Sequence, residues 1–112
     1  MKKLFERTIL EEAYSWIKSN EKVVLATVIQ TWGSSPRQIG SRMIVSEKGN
    51  FLGSVSGGCV ESSVIRECLE LIKNKVLFKK LEFKVSNKNA WNVGLACGGG
   101  ITIYIEQINS WK

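Results

Sequence analysis

The chain has 112 residues, 44% of them hydrophobic and 23% charged, a length and balance suited to one compact domain. It contains no histidine and its 10 acidic groups are all glutamates, so neither a Ser-His-Asp or Cys-His catalytic arrangement nor a histidine-ligated metal site can be built from it. The net charge of +6 comes from 12 lysines and 4 arginines spread along the sequence, the signature of a solvated surface with a bias toward anionic ligands.

In chain order, Phe5, Ile9, Ala13, Trp16 and Ile17 recur at spacings of three and four. They predict an amphipathic helix over 4–19 that Ser19-Asn20 closes, with Trp16 in its buried stripe. Residues 23–30 form a nearly continuous apolar, β-branched run, as expected of a central strand buried on both faces. The segment 31–40 holds the one proline, two glycines and several small polar residues, and reads as a loop. Residues 42–46 and 51–55 flank Glu47-Lys48-Gly49-Asn50 and predict a β-hairpin. Val60, Val64, Ile65, Cys68, Leu71 and Ile72 share one face of a helix that starts just after Cys59 and is expected to fray near Asn74. Strands over 78–85 and 100–106 complete the order α-β-β-β-α-β-β. The predicted fold class is α/β, a single domain with a mixed sheet of about five strands covered by two main helices.

Two cysteines are bracketed by glycine: Ser56-Gly57-Gly58-Cys59-Val60-Glu61 and Gly94-Leu95-Ala96-Cys97-Gly98-Gly99-Gly100. Glycine permits tight or left-handed backbone and leaves room for a ligand against the main chain. The first motif leads from a strand into a helix, whose free N–H groups and dipole attract anions; a tight turn that needs glycine is the plainer reading. Neither a dinucleotide fingerprint nor a phosphate-binding Walker loop is present. Cys59, at a helix start, is expected to have a lowered thiol pKa. Cys59 and Cys97 read as soft ligands, sulfur nucleophiles or small apolar residues, and Cys68 as a buried apolar residue. Arg37 and Arg42 offer planar donors to a phosphate, and Ser34 and Ser35 offer hydroxyls with no base to activate them. Glu61 is placed to cap the helix. Trp32 and Trp91 stand beside the loops, where an indole stacks on a flat ring or anchors the loop.

Three cysteines without C-x-x-C spacing argue against a disulfide framework or a zinc ribbon and fit a reducing compartment. No run approaches the length of a membrane span, and Met1-Lys2-Lys3-Leu4 leads into Glu6 and Arg7 rather than a signal-peptide core. The expectation is a cytoplasmic protein without membrane attachment.

The segments 26–37, 40–43, 53–61 and 94–99, taken together and in order, resemble the XdhC/CoxI family, accessory proteins of xanthine dehydrogenase and related molybdenum hydroxylases. The likeness extends from about residue 8 to 107. It implies a chaperone that binds molybdenum cofactor in its molybdopterin form, protects it while sulfur is installed on the metal, and passes it to an apo-molybdenum hydroxylase. A cysteine desulfurase is the implied sulfur source. Many members carry a second, Rossmann-like domain; the chain reads as a single domain over 1–112 without it, so a separate Rossmann-domain subunit and a homodimer are further expected partners. The amide-rich stretch 87–92 departs from the acidic character expected of the family.

The candidate cofactor-binding residues are Ser34, Ser35, Arg37, Arg42, Ser56, Gly57, Gly58, Cys59, Glu61, Cys97, Gly98 and Gly99, with Cys59 and Cys97 as molybdenum or sulfur contacts. No catalytic residue is assigned, and binding and transfer rather than catalysis is the expected work. A thiol redox or persulfide sulfur-carrier protein using Cys59 and Cys97 is the alternative. A nucleic-acid module has only the charge in its favour, since the aromatics are not interleaved with basic residues.

Overall fold

The computed structural model describes residues 2–33, 38–58, 60–84 and 99–108. Its elements are α1 (Lys2–Lys18), β1 (Val23–Trp32), β2 (Arg42–Ser46), β3 (Phe51–Gly53), α2 (Glu61–Lys73), β4 (Phe78–Lys84) and β5 (Gly100–Gln107). The order is the one the hydrophobic periods predict, with β1 two residues longer and β3 two residues shorter than expected.

The five strands form one sheet in the order β3-β2-β1-β5-β4, which makes β1 the central strand. All four ladders are antiparallel, where the sequence suggested mixed directions. The reason is the path of α2: it carries the chain from β3 at one edge to β4 at the other. β1, β3 and β4 therefore run one way and β2 and β5 the other, and no two neighbours are parallel.

Strand alternation sorts the core onto the two faces of the sheet. Val24, Ala26 and Val28 of β1, Met43 and Val45 of β2, and Ile101, Ile103 and Ile105 of β5 pack with Val60, Val64, Cys68 and Leu71 under α2. On the opposite face Val23 and Ile44 pack with Ile9 and Ala13 of α1, and Trp16, Ile17, Leu25 and Leu52 border them. Trp16 is thus at the margin of the core, where its Nε1 donates to Glu12 Oε2 at 3.2 Å. Each fully buried aliphatic side chain contributes about 1.5–3 kcal/mol by leaving water.

Both helices close on the same device. After α1, Asn20 takes φ 68°, its N–H donates to Ile17 O at 3.0 Å, and Glu21 N–H donates to Trp16 O at 3.0 Å. After α2, Lys75 takes φ 57°, its N–H donates to Ile72 O at 3.1 Å, and Val76 N–H donates to Leu71 O at 3.0 Å. These paired bonds satisfy the last carbonyls of each helix, so α2 is capped at Asn74 rather than frayed. No described helix is long and apolar enough to cross a membrane.

Candidate functional site

The topology brings the sequence motifs to one end of the sheet. There β1 ends at Trp32, β2 begins at Arg42, β3 ends at Gly53 before the turn into α2, β4 ends at Lys84, and β5 begins at Gly100. Gly53 N-terminal to the turn has φ +96°, and a Cβ there would lie 2.5 Å from Arg42 O, 2.9 Å from Ile9 Cδ1 and 3.0 Å from Met43 Cα. Only glycine lets β3 leave the sheet at that angle and that distance. Ser54 N–H then donates to Arg42 O at 3.2 Å, which ties the turn to the start of β2.

The turn itself is wound around one carboxylate. Glu61 Oε2 accepts from Ser54 Oγ at 2.8 Å, Val55 N–H at 2.9 Å and Ser56 N–H at 2.9 Å. Its Oε1 accepts from Ser56 Oγ at 2.5 Å and Gly58 N–H at 2.8 Å. The hydroxyls work twice: Ser56 Oγ also accepts from Val60 N–H at 2.8 Å, and Ser54 Oγ accepts from Gly57 N–H at 2.9 Å. Gly57 and Gly58 have φ of 70° and 106°, the left-handed geometry that turns successive N–H groups inward. Burial pushes the Glu61 carboxyl upward, but the bonds from Ser56, Ser54 and Val55 outweigh it and hold the group down at about 2.

This changes the sequence expectation for the helix start. The amides of the turn before the helix, those of Val55, Ser56 and Gly58, are taken by the chain's own anion, Glu61. Glu61 does not cap the helix: its carboxylate reaches back across the turn that precedes it. Ser56 is fully buried and its hydroxyl is engaged on both sides, so it shapes the loop, whereas Gly57 and Gly58 stand on the surface. Gly99 is buried at the entry to β5. Ser34, Ser35, Arg37, Cys59, Cys97 and Gly98 lie outside the described residues, as does Trp91. Among the described residues no cluster of three or more metal-ligating side chains occurs.

Arg42 is directly opposite Thr27 in the β1–β2 ladder, and Thr27 is opposite Tyr104 in the β1–β5 ladder. These side chains share the α1-side face. The Nε of Arg42 is buried without a hydrogen-bond partner among the described residues, a free donor at the head of β2.

Of the residues at the far end of that face, sequence reading singled out Trp32 and missed the others. A bulge between Val28 and Gln30 inserts Ile29 and shifts the register, so that Gln30 opposes Thr102 and Trp32 opposes Gly100. Without it, alternation would turn Ile29 and Thr31 to this face; with it, Gln30 and Trp32 are turned there instead. The Trp32 indole lies flat on Gly100: a Cβ at residue 100 would overlap its Cε2, Cζ2 and Nε1. One signal of this pairing was available, a glycine at the head of a strand and a tryptophan at the end of another, but it does not reveal the register.

The cysteine within α2 needs no ligand. Cys68 is fully buried on α2, and burial, with the nearby charge of Glu67, pushes its thiol up to about 12. It behaves as a small apolar side chain.

An antiparallel α/β domain thus carries a carboxylate-wound glycine turn, an arginine Nε without a partner among the described residues and a partly exposed indole, all at one end of its sheet. The chain belongs to the XdhC and CoxI family, whose profile matches residues 16–79. It is 35% identical over 105 residues to the Molybdenum cofactor insertion chaperone PaoD of Escherichia coli strain K12, covering 93% of this chain and 32% of that protein. It is 30% identical over 98 residues to a probable xanthine dehydrogenase subunit of Bacillus subtilis strain 168, covering 86% of this chain and 29% of that one. A solved structure described as a xanthine dehydrogenase from Bacillus halodurans superposes with a TM-score of 0.72 at 27% identity, over 88% of this chain and 30% of that chain. The chain thus spans about a third of the length of these relatives.

Proposed function

We propose that this chain binds molybdenum cofactor and passes it to an apo-molybdenum hydroxylase of the xanthine dehydrogenase type, acting as a carrier rather than a catalyst. The observation that carries this reading is the likeness, over 93% of the chain, to a relative named as a molybdenum cofactor insertion chaperone. The residue chemistry agrees with such a cargo. Molybdopterin presents a phosphate, a flat heterocycle and a sulfur-bound metal, and the chain presents arginine donors, an accessible indole and glycine-flanked thiols.

In this reading Arg42, with Arg37, Ser34 and Ser35 from the preceding loop, takes the phosphate. Cys59 and Cys97 stand on the metal side, as contacts to molybdenum or to the sulfur installed on it, with Gly57, Gly58, Gly98 and Gly99 leaving room for the cargo against the main chain. Glu61 and Ser56 support the loop that presents Cys59, since Gly58 N–H and Val60 N–H, on either side of it, are both fixed within the turn. Sulfur would come from a cysteine desulfurase, and a Rossmann-type domain and a second copy of this chain are the further partners of this reading.

The test is transfer. The chain loaded with molybdenum cofactor under anaerobic conditions is mixed with an apo-hydroxylase, and substrate turnover is followed. The reading predicts faster reconstitution than free cofactor gives in the presence of a scavenger for released pterin. Equal rates with and without the chain would overturn it.

A further inference from the structure

A groove of about 370 Å³ opens on the α1-side face of the sheet beyond Tyr104, lined by Gln30, Trp32, Glu82 and Thr102. We propose that this groove is the subsite for the heterocycle of the cargo, and that it recognises the 2-amino-4-oxopyrimidine edge of a pterin. The proposal deepens the cofactor-carrier reading and rests on it.

The residues come from three adjacent strands. Gln30 on β1 opposes Thr102 on β5, and Thr102 opposes Glu82 on β4, so the three stand in one row across the sheet. Neighbouring strands are about 4.8 Å apart, which sets the outer two roughly 10 Å apart at the backbone, room for a fused bicyclic ring between their side chains. Trp32 lies two residue pairs further along, the next position on this face, with its lower face against Gly100 and the residue 37% exposed. An indole fixed from below and open above is a stacking platform.

The polar groups complement that edge. Glu82, exposed on the edge strand, carries two parallel acceptor oxygens, the partner required by an exocyclic amine beside a ring N–H. Gln30 supplies both a donor and an acceptor to the same plane. The hydroxyl of Thr102 is the most telling: the residue is 2% exposed, yet its Oγ1 has no hydrogen-bond partner among the described residues. Buried hydroxyls are satisfied in the great majority of folded proteins, and this one belongs to a residue that lines the groove, just beneath its surface. A carboxylate in the row repels a phosphate, so the anionic end of the same ligand is directed away from Glu82, toward Arg42 on the same face.

Guanine has the same edge, so the source of the ring is decided by experiment. Binding of 6-hydroxymethylpterin, guanosine and adenosine to the full chain is measured by fluorescence titration, alongside anaerobic binding of whole molybdenum cofactor, for wild type, Glu82→Gln, Thr102→Val and Trp32→Phe. Glu82 is on the surface, so Glu82→Gln is expected to keep the thermal midpoint of wild type. The proposal predicts that the pterin binds, that adenosine does not, that Glu82→Gln weakens pterin binding at least tenfold, and that Trp32→Phe retains part of it. Whole cofactor bound equally by wild type and Glu82→Gln, with no binding of the free pterin, would overturn the subsite and leave the carrier reading standing. Preference for guanosine over the pterin would overturn the assignment of the ring. Absence of binding by both pterin and whole cofactor would overturn the subsite and the carrier reading together.

Discussion

The indole of Trp32 rests on the backbone of Gly100, its cross-strand partner, and no larger residue fits beneath it. Gly100→Ala should therefore displace the indole rather than be absorbed, at a cost of about 1–3 kcal/mol typical of overpacking. The expected result is a lower thermal midpoint with a red-shifted tryptophan emission. The emission shift is expected to vanish in a Trp32→Phe background, which separates it from the other three tryptophans.

Gly53 makes a sharper case, because its φ of +96° and the carbonyl of Arg42 both exclude a side chain. Gly53→Ala is expected to destabilise the domain by at least about 1–3 kcal/mol from backbone strain alone. Chemical denaturation of that variant beside Gly49→Ala checks it, since Gly49 also has a positive φ of +87° but open space around its Cβ position. Gly49→Ala should be the milder of the two.

Glu61 gives the domain an acid limb whose sign is fixed. Its carboxyl is held at about 2 in the folded chain against an ordinary value of 4.5, so the unfolded chain takes up a proton that the folded chain refuses. The stabilisation is fully present above about pH 4.5, declines as pH falls, and is gone below about 2. Its size is on the order of 2 kcal/mol once the screening of a partly exposed group is allowed for. Glu61→Gln should remove that limb from a plot of stability against pH. It should also lower stability near neutrality by at least about 1.5–3 kcal/mol, since an amide cannot accept from all the donors now aimed at the carboxylate.

The Cys68 thiol should be silent in the native protein. In a Cys59→Ser/Cys97→Ser double variant it is the one remaining thiol. At pH 8 it is expected not to react with a disulfide reagent until denaturant is added, because its pKa lies near 12 and it is fully buried. Prompt reaction under native conditions would show that α2 opens far more readily than its packing implies.

The helices, the β2–β3 hairpin and the central strand were legible because their apolar residues keep strict periods, and Ile9 with Ala13 or Val64 with Cys68 and Leu71 landed where those periods put them. Glu61 was read as a cap from its place at the head of α2, whereas its carboxylate is the centre of the preceding turn. That role depends on Ser54, which lies seven residues upstream and is brought to Oε2 by the φ of Gly53, Gly57 and Gly58. Trp32 was legible as an indole beside a loop, but the groove it lines with Gln30, Thr102 and Glu82 was not. Simple alternation along β1 turns Gln30 and Trp32 to the wrong face, and only the bulge at Ile29, set by long-range pairing with β5, reverses it. Strand directions were misjudged for a similar reason: which strands become neighbours is decided by the crossover through α2, not by any one strand's composition.

The measurement that bears most directly on the carrier reading is anaerobic equilibrium binding of molybdenum cofactor to the purified chain, with molybdenum and pterin quantified together. Wild type is predicted to hold metal and pterin in equal amounts, approaching one of each per chain, and Cys59→Ser and Cys97→Ser to lose metal. A wild-type chain that retains neither metal nor pterin would contradict it.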